Sequence, residues 1–99
     1  MNAFTARMMK DLLEVLDVTD ADDAVKVVIM TGAGRAFCAG ADLGAGGATF
    51  DRTSPQALER EEGKVGDIYR DGGGRVTLRM YDSLKPIIGA INGAAVGVG

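Results

Sequence analysis

The chemistry this sequence offers lies in bare peptide groups rather than in reactive side chains. Residues 25–43, VKVVIMTGAGRAFCAGADL, run an apolar stretch into a loop where Gly32, Gly34 and Gly40 stand among small residues. Glycine admits positive φ and leaves the backbone open to a ligand, so the working parts of such a loop are its N–H donors. A second loop of this kind, residues 92–99 (NGAAVGVG), follows Ile87, Ile88, Ala90 and Ile91. Two facing loops of exposed amides can hold one oxyanion, as in reactions that pass through an enolate or a tetrahedral intermediate. One donor of that kind contributes about 2.7–4 kcal/mol. From spacing alone, tight strand-to-helix turns explain the glycines equally well.

Several other chemistries are excluded or disfavoured. The 99 residues contain no histidine, the commonest general base and metal ligand, so proton transfer falls to carboxylates, tyrosines or residues outside the sequence. Glu59, Glu61 and Glu62 fit a solvated helix face better than an acid–base pair. One cysteine, Cys38, can form neither an internal disulfide nor a multi-thiolate metal site, which suits the cytoplasm. Asp17, Asp20, Asp22 and Asp23 lack the glycine and glutamate spacing of a calcium loop and read as a solvated turn. A net charge of -3, with the 11 Lys and Arg scattered, argues against nucleic acid. No run of 18 or more apolar residues suggests a membrane span. A dinucleotide fingerprint would need a third glycine where Phe37 stands, and no Walker lysine follows the loop. Phosphate binding at residues 32–40 survives only as a weaker enzymatic alternative.

These loops need elements to hold them. Thr5 is a suitable N-cap, and Met8, Met9, Leu12, Leu13 and Leu16 recur at helical spacing, so an amphipathic helix is expected to end near Asp17. Val25, Val27, Val28, Ile29 and Met30 read as a strand covered on both faces. Residues 44–55 are rich in breakers and read as a mobile segment, and residues 56–62 suit a helix. Gly72, Gly73 and Gly74 interrupt the chain before a second helix through Val76, Leu78, Met80, Tyr81 and Leu84, which Pro86 ends. A second short strand leads into the second loop. Alternation of this kind predicts an α/β domain with parallel strands, both loops leaving carboxyl ends of strands.

Residues 27–43 and residues 85–99 (KPIIGAINGAAVGVG) together resemble the enoyl-CoA hydratase/isomerase, or crotonase, superfamily, and residues 2–5 (NAFT) resemble its lead into the first helix. The resemblance implies a crotonase-like spiral of β-β-α units, incomplete in this chain. Residues 1–99 would be a partial core domain, with the first strands and the carboxyl-terminal half absent. It implies acyl-CoA thioester chemistry, foremost 2-enoyl-CoA hydration, with isomerase, hydrolase or dehalogenase activity or an inactive relative as alternatives. The oxyanion donors carry over onto the N–H groups of Ala41 and Val98. Position 98 is glycine in many relatives. Ala39, Gly40, Asp42 and Leu43, with Gly97, would line the CoA substrate, Asp42 as a hydrogen-bond acceptor that fixes the loop rather than as a catalyst. The family's acid–base glutamates follow the second loop and would lie beyond Gly99. No cofactor is implied besides the CoA of the substrate, no metal, no nucleic acid and no membrane. A homotrimer or dimer of trimers is the implied assembly.

Overall fold

Thr5 starts the first helix as its type suggests. Extended at φ -102° and ψ 165°, it accepts the Met8 N–H on its hydroxyl at 3.1 Å. The computed structural model describes residues 1–44, 46, 64–66 and 68–99. The segment expected to be mobile, apart from Gly44 and Gly46, and the helix expected at 56–62 with its three glutamates lie outside the described residues.

Helix α1 spans Ala6–Ala21, a turn longer than expected. Its buried stripe is Met9 and Leu16, and Leu16 is 1% exposed. Burial of that side chain alone contributes about 1.5–3 kcal/mol. The added turn carries Asp20, whose side chain is 12% exposed and paired rather than solvated, whereas Asp17 is exposed as expected. Arg79 donates to Asp17 at 3.0 Å and to Asp20 at 2.6 Å, and the Leu84 N–H adds a bond to Asp20 at 3.0 Å. The hydrogen-bonded Arg79 guanidinium, helped by Leu84 and Ser83 and opposed by partial burial, holds the Asp20 carboxyl below its ordinary range.

Strand β1 is Val28–Thr31, starting later than the apolar run, and β2 is Ala36–Cys38. A two-residue hairpin, β3 (Lys64–Val65) and β4 (Ile68–Tyr69), pairs antiparallel, with Gly66 at φ +63°. Helix α2 covers Gly72–Tyr81 and packs on α1. The three glycines expected to break the chain are its first turn. Asp71 caps them by accepting the Gly74 N–H at 2.7 Å. A larger residue at 72 would crowd Met9 and Phe4, and one at 73 would crowd Val98. Close packing thus outweighs the poor helix propensity of glycine.

Strands β5 (Ile87–Ala90) and β6 (Ala94–Ala95) complete the described elements. Strand β1 pairs with β5 in parallel, as expected, from Val28↔Ile87 to Thr31↔Ala90, and β2 and β6, which lie inside the stretches expected to be loops, also pair in parallel. Among the described residues β1, expected to be covered on both faces, is covered on one face only, and β5 is covered still less. Ile29 is 64% and Ile88 54% exposed, while Val28 and Met30 are half-buried.

Candidate functional site

The two glycine-rich tracts lie side by side along most of their length. Thr31 pairs with Ala90, Ala36 with Ala94 and Cys38 with Ala95, and Cys38 O accepts the Val96 N–H at 3.0 Å. The first tract uses one residue more than the second between the first two rungs, and one more between the next two. The first excess forms the turn at residues 32–35. Beyond the last rung the tracts meet at Gly40 and Gly97, where a Cβ on Gly97 would lie 4.0 Å from the Gly40 Cα.

Gly40 decides which way the next peptide group faces. Ahead of it, Cys38 O faces the second tract while the Ala39 N–H donates to Met1 O at 3.1 Å on the opposite edge. In a regular extended chain residue 41 would share the edge of residue 39. Gly40 sits at φ +95°, a conformation glycine adopts freely, and the assignment reverses. Gly40 O now accepts the Phe4 N–H at 2.7 Å and the Asp42 N–H donates to Phe4 O at 3.0 Å. The Ala41 N–H therefore leaves by the other edge, on the side of the second tract.

On that side, the Gly99 N–H donates to Val96 O at 2.9 Å and closes a four-residue turn. Gly97, second in the turn, has φ +57°, and Val98, third, is not left-handed. This is the pattern of a type II′ turn, which leaves the N–H of its third residue outside the ring. Among the described residues neither the Ala41 nor the Val98 N–H has a hydrogen-bond acceptor. The Val98 side chain lies against Gly73.

The remaining expected residues fall around this point. Ala39 is half-buried, Gly40 is buried, and Asp42 and Leu43 are exposed. Asp42 Oδ1 accepts the Gly44 N–H at 3.0 Å, an Asx turn that fixes the chain just after Ala41. No group of three His, Cys, Asp or Glu able to hold a metal ion occurs among the described residues. Nor is any described helix long and apolar enough to cross a membrane.

Two asparagine side chains bond to the turn of the first tract. Asn92 Oδ1 accepts the Gly32 N–H at 2.9 Å, and its Nδ2 donates to Gly34 O at 2.8 Å. From the opposite side Asn2, left-handed at φ +55°, donates its amide to Ala33 O and Ala36 O, both at 2.9 Å. The one visible signal was the Asn-Gly pair at 92–93. These bonds also weaken the phosphate alternative, because the first N–H after β1 already has an internal acceptor, whereas a phosphate cradle needs it free.

Residues 1–99 match the model of the enoyl-CoA hydratase/isomerase family. An enoyl-CoA hydratase of Alternaria alternata is 44% identical over 98 residues, covering 99% of this chain and 29% of the relative. A probable peroxisomal enoyl-CoA hydratase of Arabidopsis thaliana is 39% identical over 99 residues, covering 100% of this chain and 32% of the relative. The crystal structure of an enoyl-CoA hydratase from Bacillus anthracis superimposes with a TM-score of 0.70 at 26% identity, over 98% of this chain and 33% of that one. The chain thus spans about a third of the length of these relatives.

Proposed function

Because this chain belongs to the enoyl-CoA hydratase/isomerase family, we propose that it supplies the oxyanion-holding part of an acyl-CoA enzyme whose reaction is hydration of a 2-enoyl thioester. The Ala41 and Val98 N–H groups donate to the thioester oxygen. Water adds through its oxygen to C3 as one of its protons passes to the general base. The double-bond electrons move through C2 onto the thioester oxygen, and the enolate reverts as C2 takes a proton from the general acid. Negative charge builds on that oxygen between bound substrate and the enolate-like transition state, so fixed donors aimed at it lower the barrier more than they tighten substrate binding.

The observation that carries this reading is the pair of N–H groups that have no acceptor among the described residues where the two tracts meet, one of them turned there by Gly40. Ala39, Gly40, Asp42, Leu43 and Gly97 are assigned to the CoA thioester. Coenzyme A arrives as part of the substrate, and the chemistry calls for no further cofactor. The general acid and base are assigned to residues outside these 99, so the 99 residues by themselves are expected not to hydrate crotonyl-CoA. A cytoplasmic location and a trimer or dimer of trimers belong to the same proposal, and light scattering on the intact protein tests the assembly.

Proline and glycine at position 41 separate the donor from the fold. No described hydrogen bond uses the Ala41 N–H, so Ala41→Pro removes a donor without removing a described fold contact, whereas Ala41→Gly keeps it. In the intact enzyme the proline variant is expected to lose kcat by about 10²–10³-fold at unchanged circular dichroism, with the glycine variant active. Equal activity in the two would sink the assignment. The family's name also covers isomerases, which share the enolate. Hydration and double-bond migration are told apart by substrate: hydration adds a hydroxyl at C3 of a 2-enoyl thioester, whereas migration turns a 3-enoyl thioester into its 2-enoyl isomer with no hydroxyl added.

A further inference from the structure

We infer that Asn92 is a positioning residue for the oxyanion site: its carboxamide fixes the step in register between the two glycine tracts and so sets where the Ala41 N–H lies relative to that of Val98. The inference rests on the enolate-holding function proposed for those two groups.

Asn92 stands where backbone pairing is interrupted. The β1–β5 ladder ends at Thr31↔Ala90, and the next rung is Ala36↔Ala94. Between them the first tract carries its extra residue, and no strand rung bridges the gap. Asn92 bridges it with a side chain, accepting from the Gly32 N–H and donating to Gly34 O. Each end of the carboxamide is specified by chemistry, since an N–H needs the oxygen and a carbonyl needs the nitrogen. Thr31 closes the rung behind it by donating its hydroxyl to Ala90 O at 2.8 Å. Gly93, next in the chain, passes directly beneath the Arg35 carbonyl, where a Cβ would collide with backbone oxygen. Side chain and glycine together clamp the turn from one side, and Asn2 holds it from the other.

The consequence reaches Ala41 through a short, stiff path. After the turn come the Ala36↔Ala94 and Cys38↔Ala95 rungs, the Val96 N–H to Cys38 O bond, and the contact of Gly40 with Gly97. Small residues dominate this path, so few side chains resist sliding, and the register depends on whatever holds its start. A slip by one residue would move Ala41 about 3.3 Å along the second tract. A misplacement of about 1 Å in an active site is enough for about a hundredfold loss.

The test uses the intact protein with Asn92→Ala, which loses both bonds, and Asn92→Asp, which keeps an acceptor for Gly32 and loses the donor to Gly34. Two measurements are made. Amide exchange and chemical shifts are followed at Gly32, Ala41 and Val98, and affinities are compared for acetoacetyl-CoA, which can bind as its enolate, and butyryl-CoA, which cannot. Asn92→Ala is expected to speed exchange at Gly32, shift the Ala41 and Val98 amides, and weaken acetoacetyl-CoA about 10-fold or more while butyryl-CoA changes less than about twofold. Asn92→Asp is expected to fall between the two. A purely structural role would weaken both thioesters alike or lower only the folded fraction, and that result overturns the inference. Unchanged Ala41 and Val98 amides in either folded variant overturn it as well. If the unaltered protein binds neither thioester, the proposed function fails instead, and the amide shifts alone decide what Asn92 does. If the alanine variant does not fold, the aspartate variant carries both measurements.

Discussion

The helix pair and the tract pair in this chain are held together by opposite means. Helices α1 and α2 meet through Met9, Leu16 and Val76, buried apolar groups whose attraction is non-directional, with the Arg79 to Asp17 and Asp20 bridges at their ends. The two glycine tracts meet through backbone rungs, the Asn92 side chain and glycines with no room for a Cβ. An apolar contact tolerates a shift of a few tenths of an ångström, while a hydrogen-bonded register does not. The difference suits what each region has to do: the helices supply stability, and the tracts supply aim.

Three substitutions press on that contrast, in decreasing order of effect. Gly93→Ala drives a methyl group into the Arg35 carbonyl, and backbone cannot step aside as a flexible side chain can. Activity of the intact enzyme is expected to fall by at least about a hundredfold, out of proportion to a loss of stability of about 1–3 kcal/mol read by urea titration. Leu16→Ala is the converse. It is expected to cost about 2–5 kcal/mol in the same titration, while kcat per folded molecule stays within about twofold. If Leu16→Ala impaired kcat as much as Gly93→Ala, the separation of roles would be wrong.

The smallest effect is at Asp20. Its folded-state pKa is lowered, chiefly by the hydrogen bond from Arg79, so the stability it contributes is fully present above the ordinary aspartate value. That stability is lost as pH falls through the lowered value. Thermal melts of the unaltered protein are therefore expected to drop below about pH 4 more steeply than those of Asp20→Asn, with the two curves converging in acid. Parallel curves over that range would remove Asp20 from the account.

The same contrast explains what the sequence made legible. The α1 stripe and the apolar runs of β1 and β5 were readable because side-chain periodicity reports burial directly. Strands β2 and β6 were not, since Ala36, Ala94 and Ala95 are small, flanked by glycines and too few to show a period. The glycines at 72–74 read as a break because propensity was weighed without Met9, Phe4 and Val98, which make glycine the residue that fits there. Asp20 reads as solvated because its partner, Arg79, is some sixty residues away in the chain. The oxyanion positions could be carried over from the resemblance, but the turn of Ala41 toward the second tract depends on a single dihedral angle at Gly40, which no residue type encodes. Asn92 was visible only as half of an Asn-Gly pair, a common turn signal that says nothing of a clamp.

Cys38 gives the tract pair a built-in clock. The thiol is buried at 8% exposure, and the last residue of the second tract lies over it: a Cβ on Gly99 would be 2.5 Å from the Cys38 Cβ and 3.1 Å from its Sγ. A thiol reagent can reach Cys38 only when residues 96–99 lift away, which also separates the Val98 amide from that of Ala41. The labelling rate thus counts how often the site comes apart while the helices stay folded, a local opening frequency distinct from global unfolding. An enolate analogue that bridges the two amides should slow that rate in proportion to its occupancy, so one cysteine converts the assembly of the site into a measurable time.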